Sequence, residues 1–138
     1  MASKKRARND EIINMKLKEI SAVLIWSGDY KKLVQWYKDK LDLKVIEELD
    51  HPEDTGVGLS IGKSYFWVGQ HSKVEGKNKD PHRIMINISV DSVSETYEEL
   101  VSRGVTFLAK PFKAPTFDSY FATFTDLDGN ILQLIGGK

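Results

Sequence analysis

Phe124-Thr125-Asp126-Leu127-Asp128-Gly129-Asn130-Ile131-Leu132-Gln133-Leu134 is the stretch whose reading decides the fold. Asp126 and Asp128 can bond their own backbone two residues on, and Gly129 and Asn130 tolerate positive φ. Apolar residues on either side make the stretch strand, tight turn, strand: a hairpin with a short glycine-containing connection. The two carboxylates could be imagined as a catalytic pair, but turn chemistry accounts for both.

Outward from this hairpin the chain repeats itself. Leu17 to Trp26 is apolar and β-branched, which predicts a strand buried on both faces. Asp29 is placed to cap a helix with Leu33, Trp36, Tyr37 and Leu41 on one stripe and Lys38 and Lys40 near its end. Strands are expected at about Lys44–Leu49, Gly56–Ile61 and Tyr65–Gly69, and a polar linker from His71 to Pro81. The second pass opens with strict alternation from Ile84 to Val90. Ser92-x-x-Glu95 then reads as a capping box, followed by a stripe of Val93, Tyr97, Leu100 and Val101 and a terminating Gly104. Val105–Leu108 is expected as a strand, Lys110–Asp118 (with Pro111 and Pro115) as a loop, and Tyr120–Thr125 and Ile131–Ile135 as the last strands. Strand, helix and three strands thus occur twice, and internal repetition outranks any single motif.

Phe-x-Asp-x-Asp-Gly-Asn-x-x-x-Leu resembles the C-terminal signature of the vicinal oxygen chelate superfamily, the glyoxalase, bleomycin-resistance and extradiol-dioxygenase group. The resemblance covers about Lys16 to Gly136. It implies an α+β fold of paired βαβββ modules, about Lys16–Gly69 and Arg83–Gly136, forming a cupped mixed sheet. Helices would cover the convex side and a ligand site would occupy the concave side. Residues 16–138 are then one glyoxalase/bleomycin resistance-like domain. Residues 1–15, with Lys4, Lys5, Arg6 and Arg8, read as a disordered basic extension. Such proteins commonly bury sheet edges by dimerising, so a homodimer is expected.

Composition narrows the function. Lys+Arg and Asp+Glu are 20 each, which argues against a broad nucleic-acid surface. The absence of cysteine excludes disulfides, thiolate metal sites and cysteine nucleophiles. No apolar run is long enough for a membrane span, so a cytoplasmic protein without a membrane partner is expected.

Metal-dependent members of the resembled family hold a divalent ion with His, His and Glu from inward strand positions. Aligned by motif, this chain has Ala22, Met85 and Gln133 there. Alanine offers no donor, and a thioether and a neutral amide suit Mg²⁺, Mn²⁺ or Zn²⁺ poorly. No metal or other cofactor is therefore expected. His51 and His71 fall in turns that should face water, and His82 near the rim of the cup. No nucleophilic triad can be assembled, and catalytic residues stay unassigned. What remains is an apolar cup. By parity Leu24 and Trp26 share the face of Ala22, Asn87 that of Met85, and one aromatic each from Tyr65-Phe66-Trp67 and Tyr120-Phe121 faces inward. The ligand-binding set is Leu24, Trp26, Trp67, Met85, Asn87, Phe121 and Gln133. It fits metal-independent binding of an apolar or aromatic small molecule, similar to bleomycin-resistance-type proteins. The alternative is an enzyme: a metal-dependent glyoxalase-like lyase, isomerase or dioxygenase with an atypical site, or a metal-free catalyst. The same aromatics could instead pack a core or a dimer interface.

Overall fold

The computed structural model describes residues 16–138, so the expectation for the basic extension lies outside the described residues. The first module is β1 (Ala22–Ser27), α1 (Tyr30–Leu41), β2 (Lys44–His51), β3 (Asp54–Ile61) and β4 (Ser64–Gln70). The second is β5 (Met85–Ser92), α2 (Val93–Ser102), β6 (Phe107–Lys113), β7 (Tyr120–Thr125) and β8 (Ile131–Gly137). The strands form two four-stranded sheets, ordered β1-β4-β3-β2 and β5-β8-β7-β6. β1 runs parallel to β4 and β5 to β8, and the other neighbours are antiparallel. This is the expected α+β architecture of paired βαβββ modules. Among the described residues no helix is long and apolar enough to cross a membrane.

Local chemistry sets the helix ends. The Asp29 carboxylate accepts the Lys32 N–H at 3.4 Å, and Asp42 closes α1 in the left-handed region at φ 56°. Ser92 Oγ accepts the Glu95 N–H at 3.2 Å, so the serine half of the capping box forms. Each helix turns its stripe onto its own sheet, and the stripes meet in one core. Leu33 and Tyr37 of α1, Phe66 and Val68 of β4, Val93 and Leu100 of α2, and Phe124, Leu132 and Leu134 of the last hairpin belong to it. Alternate strand residues point the other way, onto the concave side.

Two expectations are corrected. The first strand begins at Ala22, not Leu17: Ile20 is 87% exposed, and Leu24 within β1 is 55% exposed. Among the described residues β1 is an edge strand that pairs with β4 alone, and the exposure of Leu24 shows that one of its faces is open. An apolar run does not reveal which positions an open edge leaves uncovered. The sixth strand runs Phe107–Lys113, through Pro111, where a short strand and then a loop were expected. Among the described residues β6 pairs with β7 alone, and its register slips between Ala109 and Phe112. An edge strand with a bulge can hold a proline that a central strand could not.

The turn at 126–130 joins the modules. Asp126 is buried, and its carboxylate accepts Tyr37 Oη from α1 at 2.6 Å and Asn130 Nδ2 at 2.9 Å. It also accepts the backbone N–H groups of Asp128 and Asn130 at 2.9 and 3.0 Å. Ser27 Oγ, at the end of β1, donates to Asp128 Oδ2 at 2.7 Å, and the Asn78 N–H of the linker donates to the Asp128 carbonyl at 2.7 Å. Gly129 sits at φ 82°, a conformation the tight turn requires. A second tie links the helix ends: Arg103 pairs with Asp42 and Glu99, each at 2.9 Å, and donates to the Lys40 carbonyl at 3.2 Å. Burial pushes the Tyr37 phenol well above its ordinary value, and the Asp126 charge pushes it further. Burial also raises the Asp126 carboxyl, against hydrogen bonds from Tyr37 and Asn130 that favour its ionised form.

Two outcomes follow for Tyr37. Tyr37→Phe removes a buried hydrogen bond to a charged acceptor and should lower stability by about 1.5–3 kcal/mol in urea titrations at neutral pH. The alkaline side carries a sign. The unfolded phenol loses its proton near its ordinary value of about 10, whereas the folded one holds it to higher pH. The stability it contributes is complete below pH of about 10 and is lost as pH rises toward the folded value, by up to about 1.4 kcal/mol per pH unit. Tyr37→Phe should therefore show a shallower alkaline fall; identical slopes in the two proteins would contradict this assignment.

Candidate functional site

The concave side of the first sheet is built from the alternate residues that the core does not take. Ala22, Leu24 and Trp26 of β1 pair with Tyr65, Trp67 and Gly69 of β4. β3 places glycines beneath the rings. A Cβ on Gly58 would fall 2.5 Å from Tyr65 Oη, and one on Gly56 would fall 2.5 Å from Trp67 Cζ2. The rings therefore lie down over β3 in space that no other residue would leave. Tyr65 Oη donates to the Glu47 carboxylate on β2. Desolvation, with the Glu47 hydrogen bond and charge adding to it, pushes the Tyr65 phenol up to about 12.

β1 and β5 are the inner edges of the two sheets, and between them lies a cleft of about 640 Å³. Leu24 and Trp26 line it from β1, Met85 and Asn87 from β5, Ile84 from just before β5, and Val74 from the linker. Its polar lining is Glu75, Lys77 and Asn78 of the linker and Asp128 and Asn130 of the turn, besides Asn87. Beside it, on the face of the first sheet, is a smaller concavity of about 320 Å³. Leu24 and Trp26 line both spaces.

Of the ligand set read from the sequence, Leu24, Trp26, Met85 and Asn87 come together in the cleft, and Trp67 lines the smaller concavity. Trp67 is 4% exposed, and Trp26 meets it edge to face with ring centroids 6.3 Å apart. Its indole N–H is the one buried side-chain nitrogen or oxygen among the described residues with no hydrogen-bond partner. Gln133 stands one strand beyond Asn87, its cross-strand partner, and donates to Thr123 Oγ1 at 3.0 Å. Phe121 stands apart, packed on Phe112 and Phe117 with centroids at 5.8 Å in each pair.

His71 departs from expectation. It is half-buried, with its ring 5.5 Å from that of Trp26. Its N–H donates to the Ser27 carbonyl at 3.1 Å, continuing the parallel β1–β4 pairing by one residue and bringing the ring beside Trp26. His51 and His82 are exposed. Sequence reasoning missed Glu47 and Val74, and expected one inward aromatic from Tyr65-Phe66-Trp67 where Tyr65 and Trp67 both line the smaller concavity. Val74 was visible as the lone aliphatic residue in a polar linker. The meeting of Glu47 with Tyr65 depends on the β2–β3–β4 register and had no local signal.

The residues that the resemblance places at metal-ligand positions do not fit a divalent ion. Ala22 is a methyl group, Met85 a soft thioether, and Gln133 a neutral amide whose nitrogen donates to Thr123, a donor set that suits a hard divalent ion poorly. Among the described residues no group of three or more His, Cys, Asp or Glu is placed to hold a metal.

Comparison with known proteins agrees with this architecture. The family model for the Glyoxalase/Bleomycin resistance protein/Dioxygenase superfamily matches residues 19–134. An uncharacterized protein, YraH from Bacillus subtilis (strain 168), is 29% identical over 129 residues, covering 87% of this chain and 97% of YraH. A glyoxalase family protein from Enterococcus faecalis superposes with a TM-score of 0.73 at 22% identity, over 88% of this chain and 99% of that one. A glyoxylase/bleomycin resistance protein/dioxygenase domain from Frankia sp. EAN1pec gives 0.72 at 20% identity, over 89% and 100%. At such identities these two structures speak to fold alone. The family match spans most of the sequence, and this chain belongs to the Glyoxalase/Bleomycin resistance protein/Dioxygenase superfamily.

Proposed function

We propose that the protein binds an apolar or aromatic small molecule in the cleft between β1 and β5, without a metal ion, in a role similar to that of bleomycin-resistance-type proteins. The observation that carries this reading is the cleft itself. Its volume of about 640 Å³ is that of a small-molecule site, and its walls are chiefly apolar. Leu24, Ile84 and Met85 leave large apolar surface in water there, at a cost of roughly 25 cal/mol per Å² that a bound ligand would relieve. Asn87 supplies a donor and an acceptor without a buried charge. Trp26 is half-buried and supplies a ring for stacking. The donor chemistry at Ala22, Met85 and Gln133 favours this reading over a metal-dependent lyase, isomerase or dioxygenase.

The exposed Ile46, Phe112 and Phe117 favour a homodimer, which would remove them from water. Light scattering should then give twice the chain mass at micromolar concentration, and a monomer there would count against it. For the ligand site, a screen of aromatic compounds read by tryptophan fluorescence should yield saturable binding that a chelator leaves unchanged. Trp26→Ala should weaken that binding by about 0.5–1.5 kcal/mol beyond its lost burial while the protein stays folded. Loss of thermal stability with no change in affinity would assign Trp26 to packing instead. Stoichiometric divalent metal in the purified protein would reverse the choice between binding and metal catalysis.

A further inference from the structure

The smaller concavity beside the cleft differs from it in chemistry. Its walls are Trp26, Tyr65 and Trp67, with the carboxylates of Glu47 and Asp54, and among the described residues that line it no side chain is basic. Glu47 and Asp54 share its face because β2 and β3 pair with Glu47 opposite Gly58 and Asp54 begins the strand two residues before Gly56. The glycines let the rings of Tyr65 and Trp67 lie against β3, and the Glu47 and Asp54 carboxylates line the same space, Glu47 in contact with the Tyr65 hydroxyl. Aromatic faces attract a positive charge through their quadrupoles, and nearby carboxylates add to that attraction. The Tyr65 hydroxyl, bonded to Glu47, serves as the donor, which leaves Glu47 as the negative partner.

We propose that this corner recognises a cationic group, so that the ligand of the cleft is an apolar organic cation, an amine or quaternary ammonium on a hydrophobic body. The inference rests on the binding reading above and names the ligand class. Leu24 and Trp26 line both spaces, so a single molecule can lay its apolar body along β1 and β5 and place its charge against Trp26, Tyr65 and Glu47.

The test uses phenyl probes of three charges: phenyltrimethylammonium, its neutral isostere tert-butylbenzene, and the anion benzoate. Each is titrated into the full-length protein while the indole N–H resonances are followed by NMR. The cation should bind about fivefold tighter than the isostere, and benzoate more weakly than either. Raising the salt concentration should weaken the cation and leave the isostere unchanged. Glu47→Gln keeps size and polarity at an exposed position, and should cut cation affinity by about threefold without affecting the isostere. If cation and isostere bind alike, or benzoate binds best, the cationic assignment falls and the apolar-ligand reading stands. If none of the three binds, both fall.

Discussion

The bond between Tyr37 and Asp126 is what the two modules have in common. It joins a helix of the first module to the hairpin turn of the second, and it is closed off from water. A buried carboxylate is tolerable only when its lone pairs are met, and here the turn's own backbone and Asn130 meet those that Tyr37 leaves. The same five residues therefore shape the turn and dock it. Ser27 and Asn78 then attach the end of β1 and the linker to Asp128. Much of the geometry around the cleft derives from this one point.

This explains why the hairpin was so legible. Asp, Gly and Asn carry their instructions locally, so the turn could be read without knowing its neighbours. The helix caps at Asp29 and Ser92 were legible for the same reason. What could not be read were properties set by distant partners. Leu17 to Trp26 looks like a covered strand because nothing in an apolar run says that β1 lies at an edge. Pro111 looks like a breaker because nothing local says that β6 has a free side. The site follows the same division. Parity along single strands placed Leu24, Trp26, Met85 and Asn87 on the cleft. Glu47 beside Tyr65, and His71 beside Trp26, needed the sheet register.

Fold and activity separate cleanly in this protein. The paired modules are those of a superfamily whose members perform different chemistries, and architecture does not choose among them. The choice is made by side chains at a few inward positions. At Met85 and Gln133, which the resemblance aligns with metal ligands, hard donors are missing, and Trp26, Tyr65 and Trp67 line the face of the first sheet with rings. The proposed binding of a molecule by surface and charge rests on these side chains.

The linker contributes more than a connection. Val74 lies along the cleft, and four residues later Asn78 is held to the hairpin turn through Asp128 and Asn130. The segment that lines the cleft and the joint between the modules thus share an anchor. Under the proposed binding reading, a molecule that fills the cleft would press on Val74 and so tie down a segment that is held at one end by Ser27, through His71, and farther on by that turn. Occupancy would then register as protection of the linker backbone against protease and solvent exchange, and as resistance of the whole chain to unfolding, by ordinary mass action.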